Sequence, residues 1–372
     1  MVYKVIGLMS GSSLDGLDIA YVHLQERSGK WDFEIVAAAC IPYPEEWKKR
    51  LGDAPHLSAL EYQLLHVEYG HYLGQRVLEF IDLNKLHYQV QLIGSHGHTS
   101  FHLPQRKMTA QLGDGAAIAA TTGINTVSDL RAMDLALGGQ GAPIVPIGDH
   151  RLFRDYPFFL NLGGIANISS QTPFIAFDVC PANRVLNLLA AQEGKDYDEG
   201  GALTAGGKVN EVLLAQLNAL PYYSQTSPKS LSNDFGTDTI YPMIRAAGLS
   251  TADGLRTYTE HICVQIARAL SGQLASPLPG KADGSKDGVP NKLLVTGGGA
   301  HNTFLIGVLE SMLGPLQIEM TVPDQELVDY KEALVMALIG VLRWREENNV
   351  QASVTGACRD SIGGAVWIGQ EV

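Results

Sequence analysis

At 372 residues the chain exceeds the size at which one hydrophobic core usually stops growing, so two domains are expected. Its net charge of −12, from 27 basic and 39 acidic residues spread along the chain, repels phosphate backbones and argues against nucleic acid as a partner. The four cysteines form no CxxC pair, the start lacks a secretory leader, and the longest apolar run, 333–342, is far short of the ~20 residues of a membrane span, so a soluble protein of the reducing cytoplasm is expected.

Residues 2–8 are an apolar run that stops at the Ser/Gly cluster 10–13, and residues 17–23 resume a strand-like pattern. This predicts strand, tight glycine turn, strand, with a third strand at 33–40. Ser58 with Glu61 three residues on is a capping box, so a helix is expected to begin there. Its Leu60, Leu64 and Val67 recur at helical spacing, and it is expected to run towards Phe80, before a strand at 90–93. The same succession returns with strand 158–162, the turn Gly163-Gly164, strands 165–169 and 174–177, and a helical segment. Much later, strand 293–296 ends in Gly297-Gly298-Gly299, after a Pro-, Gly- and charge-rich stretch, 277–290, that reads as an exposed loop. Two copies of β-turn-β-β-α-β follow from this order. Residues 1–135 form the expected N-terminal lobe, to which the C-terminal tail is free to return, and 136–372 the second, with a ligand expected in the crevice between them.

The first glycine turn offers small residues, hydroxyls and N–H groups, which is what a polyphosphate needs. Its candidate nucleotide-binding residues are Gly11, Ser12, Ser13, Leu14, Asp15, Gly16, Leu17 and Asp18. The two aspartates would repel phosphate unless a divalent cation, Mg²⁺ keeping its waters, lies between. The segment is neither a Walker A loop nor a GxGxxG fingerprint, and a plain hairpin turn is the alternative reading. Two further glycine turns after strands, at Gly163 with Gly164 and at Gly297 with Gly298, Gly299 and Asn302, favour a nucleotide held by both lobes.

The segment GLMSGSSLDGLD at 7–18 closely resembles the GxMSGTSLDGxD opening of anhydro-N-acetylmuramic acid kinases, members of the sugar kinase, Hsp70 and actin superfamily. The likeness continues through GSHGHT at 94–99, DLRAMD at 129–134, ALGGQGAP at 136–143, NLGGIAN at 161–167, TGGGAHN at 296–302 and KEA at 331–333, in the family's order over nearly the whole chain. It implies an α/β fold of two duplicated ribonuclease H-like (actin-like ATPase) lobes flanking a central cleft. It also implies ATP and Mg²⁺ as cofactors, a small amino sugar as substrate, and allows a homodimer.

Asp178 follows the strand expected at 174–177 and precedes a helical segment. It is either a helix cap or the carboxylate that positions a proton in phosphoryl transfer. It matches the catalytic Asp of the family's DTGPGN motif, whose reaction lets water open a 1,6-anhydro bridge while O6 attacks the γ-phosphate. The resemblance makes His96, Arg131, Asn183 and Glu332 the candidate substrate-binding residues. Arg131 suits a lactyl carboxylate or a phosphate, or else it is a surface partner of Asp129 or Asp134. Glu332 holds a sugar hydroxyl or the attacking water, or else it is an N-terminal Glu at a helix dipole.

The sequence departs from the family at Val179, Cys180 and Ala182, which replace Thr and two Gly, at Asn187, which replaces an Asp, and at His98, which replaces a Gln. These changes keep two alternatives open: a kinase for another amino or anhydro sugar, and a nucleotide- or sugar-binding sensor. The spacing of His96, His98 and His102 is that of zinc ligands, but hydrogen-bonding histidines are the preferred reading. Cys180 reads as a buried thiol.

Overall fold

The computed structural model describes residues 1–11, 13–226, 229–232, 234–275 and 291–370. Ser12 and the loop expected at 277–290 therefore lie outside the described residues. The chain divides into two compact units, Met1–Phe153 with Tyr330–Val372, and Arg154–Asp329.

In the first unit β1 (Val2–Ser10), β2 (Gly16–Arg27) and β3 (Lys30–Pro42) form an antiparallel meander. Next to β1 lies parallel β4 (Leu92–Leu103), with β5 (Met108–Leu112) folded back on its far end. Then come parallel β6 (Thr126–Ser128) and antiparallel β12 (Ala365–Trp367). In the second unit β7 (Phe158–Leu162), β8 (Ile165–Gln171) and β9 (Phe174–Pro181) make an equivalent meander. Parallel β10 (Asn291–Thr296) and β11 (Ile318–Thr321) extend it from β7. The orders β3-β2-β1-β4-β6 and β9-β8-β7-β10-β11 are one pattern used twice. That pattern, three antiparallel strands followed by two parallel ones, is the ribonuclease H-like lobe expected from the sequence.

The helix Ala59–Asn84 begins with the expected capping box: Glu61 N donates to Ser58 Oγ at 3.3 Å, and Ser58 N donates to Glu61 Oε2 at 3.0 Å. Its buried face is not the expected one. Leu60, Leu64 and Val67 are exposed, whereas Leu65, Tyr69, Leu73, Val77 and Phe80 pack on Ile6, Leu8, Leu17 and Ile19 of the sheet. The second stripe runs through about four turns and carries two aromatic rings, so it removes more apolar surface from water, at roughly 25 cal/mol per Å². The strand expected at 90–93 is longer, and β4 carries the whole GSHGHT motif.

The apolar run 333–342 is buried inside the helix Gln325–Trp344, whose backbone approaches β1 and β4 where Gly7 and Gly94 have no side chain to block it. Residues 136–153, assigned on sequence to the second lobe, pack with the first unit. There the helix Pro146–Leu152 sets Gly148 against Val335 and Asp149 against Lys331. No helix among the described residues is long and apolar enough to cross a membrane.

Candidate active site

The β1–β2 hairpin closes at Ser10↔Leu17, with Gly11 and residues 13–15 the described part of what joins the strands. Asp15 braces it, because its Oδ1 accepts from Ser13 Oγ at 2.7 Å and from Gly16 N at 3.0 Å. Leu14 takes a left-handed conformation, φ 58°. Among the described residues a Cβ on Gly11 would meet Ser13 Oγ at 3.4 Å and Ser13 N at 4.0 Å, both ordinary contacts, so packing does not require glycine there. Leu17 faces the core and presents no side chain to a ligand, whereas Asp18 lies on β2 opposite Met9 and Cys40 and is half-buried.

Beneath this turn the structure assembles buried polar groups. Ser10 Oγ accepts from Tyr43 O–H at 2.9 Å and meets His98 Nδ1 at 3.1 Å, and Tyr43 meets Tyr69 O–H at 2.5 Å. Burial pulls the His98 imidazole down to about 4. His96 is pulled down to about 3, mainly by burial and further by the Arg131 charge; its Nδ1 donates to Gly97 O at 2.9 Å. Arg131 is buried, not a surface residue. Its Nε donates to Gly141 O at 2.6 Å, and its terminal nitrogens donate to Thr99 Oγ1 at 3.1 Å and His102 Nδ1 at 3.3 Å. All three acceptors are neutral, so no carboxylate is hydrogen-bonded to the guanidinium among the described residues, and burial lowers it to about 10. The ion pair with Asp129 or Asp134 weighed from the sequence is not formed. The nearby Asp134 charge offsets part of that lowering without a direct hydrogen bond, which leaves the buried guanidinium able to take an anion.

Asp134 instead organises the glycine loop that follows. Its Oδ2 accepts from Gly141 N at 2.6 Å and its Oδ1 from Thr355 Oγ1 at 2.7 Å. Thr355, more than two hundred residues away, carried no local signal. Glu332 is the eighth residue of the helix Gln325–Trp344, so the dipole of a helix start does not explain it. Its neighbour Lys331 makes a buried ion pair with Asp149 at 2.9 Å, a partnership the sequence did not reveal.

In the second unit the Gly163-Gly164 turn joins β7 to β8. Its carbonyls accept from the backbone N–H groups of Ala182, Asn183 and Arg184, and Asn183 Nδ2 donates to Leu162 O at 2.9 Å. The turn and the start of the helix Asn183–Ala190 are thereby one braced piece. Gly297, with φ 85°, and Gly299 lie so close to Asn161 and Leu162 that a Cβ would collide, whereas Gly298 has room. Asn302 caps the helix Thr303–Leu313 by accepting from Leu305 N at 3.0 Å.

Asp178 lies inside β9, not after it, and the neighbouring helix is capped at Ala182 without a side-chain bond. The cap reading therefore fails. One carboxylate oxygen, Oδ2, accepts from Leu231 N at 2.8 Å, and Oδ1 has no protein partner among the described residues. Burial raises the pKa of this carboxyl, and the Leu231 bond offsets only part of that. The Asp178 backbone is held too, its N donating to Lys229 O at 3.0 Å and its O accepting from Tyr222 O–H at 2.6 Å. Cys180 is fully buried, which pushes its thiol up and makes it unreactive. The Nδ1 atoms of His96, His98 and His102 are all engaged by protein groups, and no cluster of three metal-ligating side chains occurs among the described residues.

The family model for anhydro-N-acetylmuramic acid kinase matches residues 3–369. The chain belongs to the anhydro-N-acetylmuramic acid kinase family. It is 34% identical over 375 residues to the anhydro-N-acetylmuramic acid kinase of Vibrio parahaemolyticus, covering 95% of each chain. It is 33% identical over 381 residues to that of Hydrogenovibrio crunogenus, covering 97% of each. Among solved structures it is similar to the activator of the 2-hydroxyisocaproyl-CoA dehydratase from Clostridium difficile, with a TM-score of 0.44 and 13% identity over 93% of this chain and 96% of that one. That likeness is too distant to bear on the chemistry.

Proposed function

We propose that this family member uses ATP to phosphorylate 1,6-anhydro-N-acetylmuramic acid, opening the anhydro bridge with water, in the cytoplasm during cell-wall recycling. The observation that carries the reading is Asp178, a half-buried carboxylate held by Leu231 N at Oδ2 and by the Tyr222 hydroxyl at its main-chain O, with no partner for Oδ1 among the described residues and a pKa raised by burial. Asp178 takes a proton from water, the water oxygen bonds to C1, and the C1–O6 bond breaks. The released O6 bonds to the γ-phosphorus as ADP leaves, giving N-acetylmuramic acid 6-phosphate.

The turn at Gly11, Ser13 and Asp15 is assigned to the ATP phosphates, with Gly163-Gly164 as a second phosphate contact and the Gly297 turn near the nucleoside. Gly11, Gly163 and Gly164 all have room for a Cβ, so their lack of a side chain is left for close approach of a ligand to explain. Arg131 and His96 are assigned to the sugar, Arg131 to its carboxylate, and Glu332 to a sugar hydroxyl or the attacking water; Asn183 supports the same site. Asp15 keeps Oδ2 outside its two turn bonds, which with Asp18 fits an Mg²⁺ ion held mainly by phosphates and water. When bound, that ion neutralises phosphate charge. Incubating the purified protein with ATP and a panel of anhydro and amino sugars, followed by mass spectrometry, tests the reading. A product heavier by one water and one phosphoryl group from the anhydro sugar alone is expected; turnover only with other sugars contradicts it.

A further inference from the structure

We infer that the second unit carries a second ligand site, a cleft against β9 that binds a small organic anion of monosaccharide size. None of the residues lining it has a role assigned above. The cleft stands on the second unit alone, and only its link to turnover rests on the reading of Asp178 as the base.

The cleft lies where the helix Thr251–Ala275 meets β9 and the residues around Tyr223 and Lys229, and its volume is about 390 Å³. That is within the range of small-molecule pockets, roughly 300–1,000 Å³. In a chain of net charge −12 its lining has the opposite sign: it holds Lys229 and Arg268, and none of the described residues that line it is acidic. The Arg268 guanidinium makes no hydrogen bond or ion pair among the described residues, so its five N–H donors are open to a ligand. Lys229 Nζ donates to Tyr222 O at 3.1 Å and sits 4.4 Å from the centre of the Tyr222 ring. This steadies the ammonium at the cleft and leaves two of its three donors open. Burial draws that ammonium below the usual lysine value, a penalty that a bound anion offsets.

Behind the two cations the wall is rigidly built. Gln265, 4% exposed, donates through Nε2 to Asn218 Oδ1 at 2.7 Å, which leaves its Oε1 as an acceptor for a ligand hydroxyl. The same Asn218 oxygen meets Nδ1 of the fully buried His261 at 2.7 Å, and His261 Nε2 meets the Tyr223 hydroxyl at 3.0 Å. Tyr223 and Gln265 are thus fixed by one network, so the cleft is preformed and binding orders few side chains. Phe177 and Val179 give it an apolar side, on which the carbon skeleton of an organic anion packs as a bare ion does not. Lys229 ties the cleft to the reaction. Its side chain lines the cleft, while its main-chain O accepts from Asp178 N at 3.0 Å; two residues on, Leu231 N holds Asp178 Oδ2. An anion that draws on the Lys229 ammonium therefore bears on the placement of Asp178.

Calorimetry on the full-length protein with glucose 6-phosphate, gluconate and neutral glucose tests the site without ATP. At least one of the two anions should bind about tenfold or more tightly than glucose, and Arg268→Gln and Lys229→Met should each weaken it by about tenfold. Tighter binding of glucose 6-phosphate assigns a phosphate ligand, and tighter binding of gluconate a carboxylate. In kinase assays the same anion should change kcat and leave the KM for the anhydro sugar as it was. Binding of neither anion overturns the inference, as does an affinity unchanged in both folded variants. Inhibition competitive with the anhydro sugar also overturns it, by putting the anion in the kinase site, and a kcat unmoved by saturating anion overturns the link to Asp178. If Lys229→Met does not fold, Arg268→Gln, at an exposed position, decides alone. Wild-type protein without turnover would defeat the kinase reading separately, while the calorimetry still judges the cleft.

Discussion

The two units repeat one strand order but build the ends of their first strands differently. In the first, the turn after β1 is shaped by side chains: Asp15 and Ser13 brace it, and a buried chain through Ser10, Tyr43, Tyr69 and His98 supports it. In the second, the turn after β7 is shaped by backbone, with the Gly163 and Gly164 carbonyls bonded to N–H groups at a helix start. Both units bury polar groups over an apolar cluster, but of different kinds: the first encloses Arg131, His96, His98 and the Lys331–Asp149 ion pair, the second Asp198, His261 and Gln265, which are satisfied by hydrogen bonds. A shared scaffold therefore leaves the chemistry of each turn to be decided locally, by side chains in one unit and by close backbone packing in the other.

Removing one partner of the first unit's ion pair should have the largest effect. Lys331→Met removes the buried cation facing Asp149 and should cost about 3–5 kcal/mol by chemical denaturation, while the double change Lys331→Met with Asp149→Leu should recover much of it. Equal instability of the single and double variants would show that the loss is not that of an uncompensated buried charge. Gly297→Ala should cost roughly 2–4 kcal/mol, since a side chain there needs positive φ and meets Asn161 and Leu162. By contrast Gly11→Val should leave the melting temperature nearly unchanged yet weaken ATP binding more than tenfold, or over ~1.4 kcal/mol by calorimetry. Unchanged ATP affinity in that variant would remove the first turn from the phosphate site.

Acid should loosen the first unit by smaller steps. His96, His98 and His102 are held neutral in the fold, at about 3, 4 and 4, whereas an unfolded histidine titrates near ~6.5. Between those values the unfolded chain binds more protons, so stability is present above pH ~6.5 and is lost as pH falls towards about 4. His96 and His98, both buried, contribute up to ~1.4 kcal/mol per pH unit each and the exposed His102 less, and His98→Gln should flatten the denaturation profile by its share. Asp178, raised by burial, acts with the opposite sign and offsets part of the slope. A profile equally steep in the variant would contradict the neutral, buried His98.

Much of the architecture was legible because it is written in local patterns. The strand runs, the Ser58–Glu61 capping box and the glycine turns are short-range features, and each is found where the residues place it, although several strands, β4 and β9 among them, run further than their apolar runs. The face of the helix Ala59–Asn84 was misjudged because Leu60, Leu64 and Val67 satisfy the helical period as well as the buried stripe does; only the sheet beneath decides between them. Chain order alone puts residues 136–153 in the second lobe, whereas the contacts that hold them to the first unit, Asp149 to Lys331 and Gly148 to Val335, span nearly two hundred positions. Long-range partners also explain what was missed around the candidate site. Thr355 on Asp134, Tyr43 on Ser10 and Leu231 on Asp178 are each brought in by tertiary packing, and no spacing along the chain announces them.

The most direct test of the account is the turnover of Asp178→Asn with ATP and 1,6-anhydro-N-acetylmuramic acid, measured beside its ATP affinity and melting temperature. Asparagine keeps the size and the Leu231 contact but removes the basicity. The account predicts a folded protein that binds ATP as the wild type does and forms the 6-phosphate at least ~100-fold more slowly. A variant that keeps most of its turnover would contradict the account and make Glu332 the next carboxylate to test.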